Sequence, residues 1–291
     1  MIVALIGPTG SGKSDLAVKL AKEINGEIIN CDAFQVYNSF PIATAMPSKE
    51  LFAMVPHHLF SFLSSNVVYD IHAYQKDARE VLKEVISRGK NPIFVGGSGL
   101  YLRSALYDYN LNVDTSKVDM SPYLEMSNEE LHNELKKIDP LEANKIPYQN
   151  RRRVLRSLSV SLALGGEKSK FISSQNQTPL WDCLFYRLSP NREELYLHLK
   201  ERIEEMFQKG IVEEVMPQIK DVKEKKGVFA AIGIKEFFPY RDGEITLEEV
   251  KEEILLNTRH YVKRQETFFR HQFESKIVSS LEEILNDFRS H

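Results

Sequence analysis

Cysteine is nearly absent from this chain: Cys31 and Cys183 are the only two in 291 residues. Two thiols so far apart cannot build a disulfide framework or a four-ligand zinc site, which suits a reducing compartment. No apolar run approaches membrane-spanning length, and no charged signal region precedes the first apolar run; we therefore expect a cytoplasmic protein with no membrane partner. An excess of either charge is missing as well. With 38 Lys and Arg against 41 Asp and Glu, and a formal net charge of -3, nucleic-acid affinity would have to come from local basic stretches. His57 and His58 are adjacent, point apart as chain neighbours, and have no companion ligands at metal-site spacing, so they do not read as a metal centre. What remains is a chain, 42% hydrophobic, long enough for one large domain or a core with a smaller insertion.

MIVALI at residues 1–6 is a short apolar run, followed by a glycine turn and a segment in which Leu16, Leu20 and Ile24 recur at helical spacing. EIIN (27–30) and PIFV (92–95) are two further strand-like runs with a helical stretch between them over about 72–88. WDCLFYRL (181–188) reads as a fourth strand, then come a helix from about Asn191 and a final long helix over about 247–273. Alternation of this kind predicts an α/β fold with a doubly wound parallel sheet. Ligands of such sheets bind outside the carboxyl ends of the strands, so residues 7–14, 31–35 and 96–101 should line one crevice. From about 108 the texture changes to charged helical patterns broken at Asp139-Pro140 and at Gly165-Gly166. We expect an inserted helical domain at 108–179 within a core of 1–107 and 180–291.

The glycine turn reads Gly7, Pro8, Thr9, Gly10, Ser11, Gly12, Lys13, Ser14. It matches G-x-x-x-x-G-K-[ST] between a strand and a helix, the setting of a P-loop NTPase-like core. Backbone N–H groups and the helix N-terminus would face phosphate oxygens, Lys13 would neutralise them, and the Ser14 hydroxyl could ligate Mg²⁺. A motor or switch NTPase also has a strand ending in a carboxylate that holds the metal. Here residues 92–95 run into Gly96-Gly97-Ser98 instead. The one comparable carboxylate is Asp32, which could cap the next turn, orient a hydroxyl in a kinase, or act as a general base in another group transfer.

Two basic segments stand out. Over residues 150–162, Val154, Leu155, Leu158 and Leu162 share one helical face while Arg152, Arg153 and Arg156 fall opposite, with no acidic residue between Glu142 and Glu167. Those arginines are either a solvated face or a phosphate-backbone contact. In the helix after Asn191, Leu195, Leu199 and Met206 lie within about 40° on the wheel, and Arg202 projects into the same arc. Such a cation either snorkels or meets an anion. The last helix carries an apolar stripe of Leu247, Ile254, Tyr261, Phe268 and Phe269, expected in the core, beside a basic flank of Arg259, Lys263 and Arg270.

Taken in order, these segments resemble the tRNA dimethylallyltransferase (isopentenyltransferase) family over nearly the whole chain. The markers are GPTGSGKS (7–14), DAFQVY (32–37), TAMPS (44–48), VPHHL (55–59), VGGSGLYL (95–102), RRRVLRSL (151–158), AIGIKEF (231–237) and TRHYVKRQ (258–265). The resemblance implies transfer of a dimethylallyl group from dimethylallyl diphosphate to N6 of the adenosine 3′ of the anticodon, with Mg²⁺ as cofactor and the tRNA anticodon arm as partner. It implies Asp32 as general base and Thr9, Lys13 and Arg202 around the departing diphosphate. The tRNA contacts it implies are Asp32, Ala33, Phe34, Gln35, Ser98 and the segment Arg152, Arg153, Val154, Leu155, Arg156. Residues 230–235 match a further tRNA-contact segment of the family. Departures from the family pattern are Ala33 for serine, Phe34 for methionine, Ala43 for glycine, Met46 for lysine, Ser98 for threonine, Arg152 for glutamine and Ile234 for tyrosine. The eukaryotic members' zinc-finger region is not seen, so a bacterial-type enzyme is expected, acting as a monomer.

Three rivals remain at this point. An adenylate isopentenyltransferase would use the same donor with a free nucleotide, but would not require the helical insertion or the arginine face. A P-loop kinase would use Asp32 on a hydroxyl, and a non-catalytic RNA-binding protein would use nucleotide only as a switch.

Overall fold

A computed structural model describes residues 1–109, 113–174 and 178–291; residues 110–112 and 175–177, inside the expected insertion, lie outside the described residues. The strands are β1 (Ile2–Ile6), β2 (Gly26–Asn30), β3 (His57–His58), β4 (Asn91–Gly96), β5 (Cys183–Leu188) and β6 (Lys276–Val278). The helices that matter below are α1 (Lys13–Glu23), α2 (Ile71–Ser87), α3 (Asn128–Ile138), α4 (Arg151–Leu164), α5 (Arg192–Gln208), α6 (Ile211–Ile219), α7 (Leu247–Gln272) and α8 (Leu281–Phe288).

All six strands pair in parallel, in the order β3-β2-β4-β1-β5-β6. The sheet is the α/β, doubly wound arrangement expected from the alternating runs. The two edge strands are not among the expected runs, and the last of those runs pairs only from Cys183, so Trp181 and Asp182 stand outside the strand. Alternation along β1 sends Val3 and Leu5 to the face covered by Ala17, Leu20 and Ile24 of the α1 segment and Ile284 of α8. On α2, Tyr74, Ala78, Leu82 and Val85 are buried at helical spacing, and Asp70 caps the helix by accepting from the N–H groups of His72 and Ala73. A second apolar cluster joins Val36, Tyr37 and Phe40, beyond the end of β2, to Ile203 of α5, Val215 of α6 and Ile254 of α7. Its role is positional: it closes three C-terminal helices over the loop that leaves β2.

The chain divides into two compact units, residues 1–106 with 179–291 and residues 107–178. The second unit has its own core, in which Leu131 and Leu135 of α3 meet Val154 and Leu158 of α4. A capping box of Ser127 and Glu130 starts α3, and Gly165, in the left-handed region, ends α4.

Candidate active site

The loops after β1, β2 and β4 converge as the topology requires. Gly10 and Gly12 both have φ of +80°, and no side chain caps the first turn of α1. The N–H groups there are left for an anion. Lys13 is folded back over the loop, its Nζ donating to the Pro8 carbonyl at 2.6 Å and to Ser11 Oγ at 3.3 Å. Burial lowers its pKa to about 8; Asp32 opposes that shift and Arg202 adds to it. The Ser14 hydroxyl, half-buried at the start of α1, is free of protein partners among the described residues.

Arg202 comes from α5, where Leu195 and Leu199 are buried and Met206 partly so. The cation on the apolar stripe enters the crevice, with Nη1 donating to Thr9 Oγ1 at 3.4 Å. Burial lowers its pKa, and Asp32 and Glu205 raise it. A guanidinium held this way is poised to receive an anion.

Asp32 sits at the mouth of β2, held from both sides. Its N–H donates to Asn30 Oδ1 at 2.8 Å, and its Oδ1 accepts from the Phe34 N–H at 3.0 Å. Burial pushes the Asp32 carboxyl above its usual range, against the downward pull of the Phe34 and Gln35 N–H groups, Lys13 and Arg202. A raised carboxyl in a crevice is the kind of group used as a proton acceptor. Ser98 Oγ accepts from the Ala33 N–H at 3.0 Å, so this serine braces the loop. Gln35 donates to the carbonyls of Thr44 and Ala45 at 3.2 and 2.9 Å, fixing the next turn. Glu214 of α6 accepts from the Ile42 and Ala43 N–H groups, both at 2.8 Å, and holds that turn from outside.

Two cavities meet here. One, of about 480 Å³, is lined by residues 9–15 with Asp32, Gln35, Met46 and Arg202. The other, of about 240 Å³, has walls of Phe34, Leu199, Ile203, Met206, Ile254 and Tyr261. Thr9, Asp32, Ala45 and Arg202 border both. An anion cradle and a largely apolar chamber are thus joined at a hydroxyl, a carboxyl and a guanidinium.

The structure revises several sequence expectations. Val154 is fully buried in the core of the second unit and Leu155 packs against it, so their side chains do not share the exposed surface of Arg152, Arg153 and Arg156. Tyr261, expected in the core, lines the apolar chamber, and its hydroxyl donates to the Gly97 carbonyl at 3.4 Å. In the basic flank, Arg259 stacks on Tyr196 at 5.0 Å, whereas Lys263 and Arg270 are exposed. His58 donates to Glu27 at 2.7 Å and His57 Nδ1 lies 2.8 Å from the Val55 carbonyl. Gln265 closes the TRHYVKRQ segment, where the sequence assigns it no role, yet it bonds to both Thr9 and Gly97. The signal for it is a polar residue on the buried stripe between Tyr261 and Phe268.

The chain is similar to known proteins over most of its length. The family described as IPP transferase matches residues 35–272. A tRNA dimethylallyltransferase of Anoxybacillus flavithermus is 38% identical over 93% of this chain and 88% of its own length. One of Carboxydothermus hydrogenoformans is also 38% identical, over 98% and 93%. Among solved structures, the tRNA isopentenylpyrophosphate transferase of Staphylococcus epidermidis aligns with a TM-score of 0.72 at 32% identity, over 99% of this chain and 97% of that one. A eukaryotic dimethylallyltransferase acting on tRNA aligns with a TM-score of 0.84 at 28% identity, over 99% and 79%. With a phosphate loop, a half-buried carboxyl and an apolar chamber in one site, and a family match across most of its length, the chain belongs to the IPP transferases.

Proposed function

We propose that this protein is a tRNA dimethylallyltransferase: it moves the dimethylallyl group of dimethylallyl diphosphate onto N6 of the adenosine 3′ of the anticodon and releases diphosphate. The observation that carries this reading is the junction of the two cavities at Thr9, Asp32 and Arg202. The diphosphate occupies the cradle of residues 7–14, and C1 of the allylic donor lies at the junction. The adenine, taken out of its stack, presents its amine from the chamber side.

Bond making and breaking then have a partner at each atom. The N6 lone pair forms the new C–N bond as the C–O bond to the diphosphate breaks. Lys13, Arg202 and the loop N–H groups receive the leaving charge, and Thr9 Oγ hydrogen-bonds near the breaking bond. Asp32 takes the proton that the amine loses, and its raised pKa suits it to that task. The free Ser14 hydroxyl, a neutral oxygen donor at the start of α1, would hold Mg²⁺ there. Bound there, magnesium would neutralise part of the diphosphate charge. The exposed Arg152, Arg153 and Arg156 offer a contact surface for the backbone of the anticodon arm. One chain supplies every group named, in keeping with a monomer.

The residues beyond β4 disfavour a switch: Gly97 there is bonded to Gln265, and the strand end carries no carboxylate. Acceptor choice tests the rest. With labelled dimethylallyl diphosphate and Mg²⁺, label should pass to unmodified tRNA and not to AMP. Transfer to AMP alone would make the protein an adenylate isopentenyltransferase.

A further inference from the structure

Gln265 is 3% exposed, on the face of α7 that also carries Tyr261 and Phe269. A polar side chain placed there is costly unless it is fully bonded. Its amide is bonded at both ends. The Thr9 N–H donates to Oε1 at 2.9 Å, and Nε2 donates to the Gly97 carbonyl at 3.0 Å. Chemistry fixes the orientation, because a backbone N–H can only donate and a carbonyl only accept. The approach is close enough that a methyl group at Gly97 would collide with the Gln265 amide.

This amide constrains the reacting groups in two ways. Thr9 has its N–H engaged away from the diphosphate, which leaves its hydroxyl, 3.4 Å from Arg202, as the polar group it turns to the leaving oxygen. Gly97 belongs to the turn whose next residue, Ser98, donates its N–H to Cys31 and accepts from Ala33, on either side of Asp32. One amide therefore spans from the leaving-group cradle to the turn that braces the proton acceptor. We propose that Gln265 is a positioning residue that clamps these two loops together and so sets the separation of Thr9 from Asp32. The inference rests on the prenyl-transfer reading above.

The test uses Gln265→Met, which keeps length without hydrogen bonds, and Gln265→Glu, which keeps shape but as a carboxylate cannot donate to Gly97. Both should lower kcat about 10- to 100-fold, because misplacement by a fraction of an ångström acts on the chemical step. KM for both substrates and the Kd of inorganic diphosphate should stay within about threefold. Thr9→Val and Gln265→Met together should cost much less than the product of their separate losses. Amide hydrogen exchange at Thr9, followed by NMR, should be slow in the unsubstituted protein and faster in Gln265→Met.

Unchanged kcat in both variants would overturn the proposal. So would a joint fall of kcat, diphosphate affinity and melting temperature, which would mark a purely structural role. If the unsubstituted protein transfers no prenyl group, the functional reading fails by itself, and Thr9 exchange then judges the clamp: equal rates with and without Gln265 would disprove it.

Discussion

The Arg202 guanidinium donates to the Thr9 hydroxyl across 193 residues of sequence, at 3.4 Å, inside the crevice at the end of β1. Both side chains border the two cavities, so each can reach an anion that spans their junction. Replacing Arg202 by Ala should lower kcat about 10²- to 10³-fold, the range for removing one donor to a developing anion. Calorimetry with inorganic diphosphate should show weaker binding as well. Unaltered diphosphate affinity would return Arg202 to a snorkelling role.

Asp32→Asn should separate chemistry from binding. Turnover is expected to fall about 10²- to 10⁴-fold with tRNA affinity little changed, as for loss of a general base. In the unsubstituted protein, the acid limb of the kcat/KM profile should lie above the ordinary carboxylate range, because burial raises the Asp32 carboxyl. An equal loss of tRNA binding and turnover would instead make Asp32 a binding group.

Lys13 gives a pH dependence of definite sign. In the free protein burial lowers it to about 8, so its ammonium is lost as pH rises through that value. A bound diphosphate favours the charged form. Diphosphate affinity should therefore weaken above pH of about 8, with proton uptake on binding that is small below it and approaches one per site above it. Calorimetry in buffers of different ionisation enthalpy measures this uptake. Lys13→Met should abolish the dependence.

Arg152, Arg153 and Arg156 are exposed on α4. Arg153→Ala should weaken tRNA binding and reduce the slope of log affinity against log salt by about one. Titration of labelled tRNA at several salt concentrations gives the slope. If it does not change, Arg153 is only solvated.

How much of the molecule is legible in its sequence depends on how local each signal is. The apolar runs that form β1, β2, β4 and β5 announce themselves, whereas β3 and β6, of two and three residues, are too short for any periodicity to register. The phosphate loop is a contiguous motif, legible with every residue in place. Arg202 is legible because a charge on an apolar stripe is conspicuous. Gln265 breaks the same rule on α7 but carries no charge, so its role emerges only once the loops it joins are placed. The apolar chamber is illegible for a different reason. Leu199, Ile203 and Ile254 have the spacing of ordinary core residues, and only the path of the residue 34–45 loop shows that they wall a cavity. Val154 and Leu155 illustrate the reverse: a motif carries buried residues along with its exposed ones.

The most direct measurement is the fate of the adenosine 3′ of the anticodon. Unmodified tRNA is incubated with the protein, Mg²⁺ and dimethylallyl diphosphate, then digested to nucleosides and analysed by mass spectrometry, with released diphosphate counted in parallel. Expected are one N6-dimethylallyl adenosine per tRNA, at that position alone, and one diphosphate for each. Diphosphate release without alkylated adenosine, or ATP-dependent phosphorylation in place of prenyl transfer, would contradict the assigned reaction.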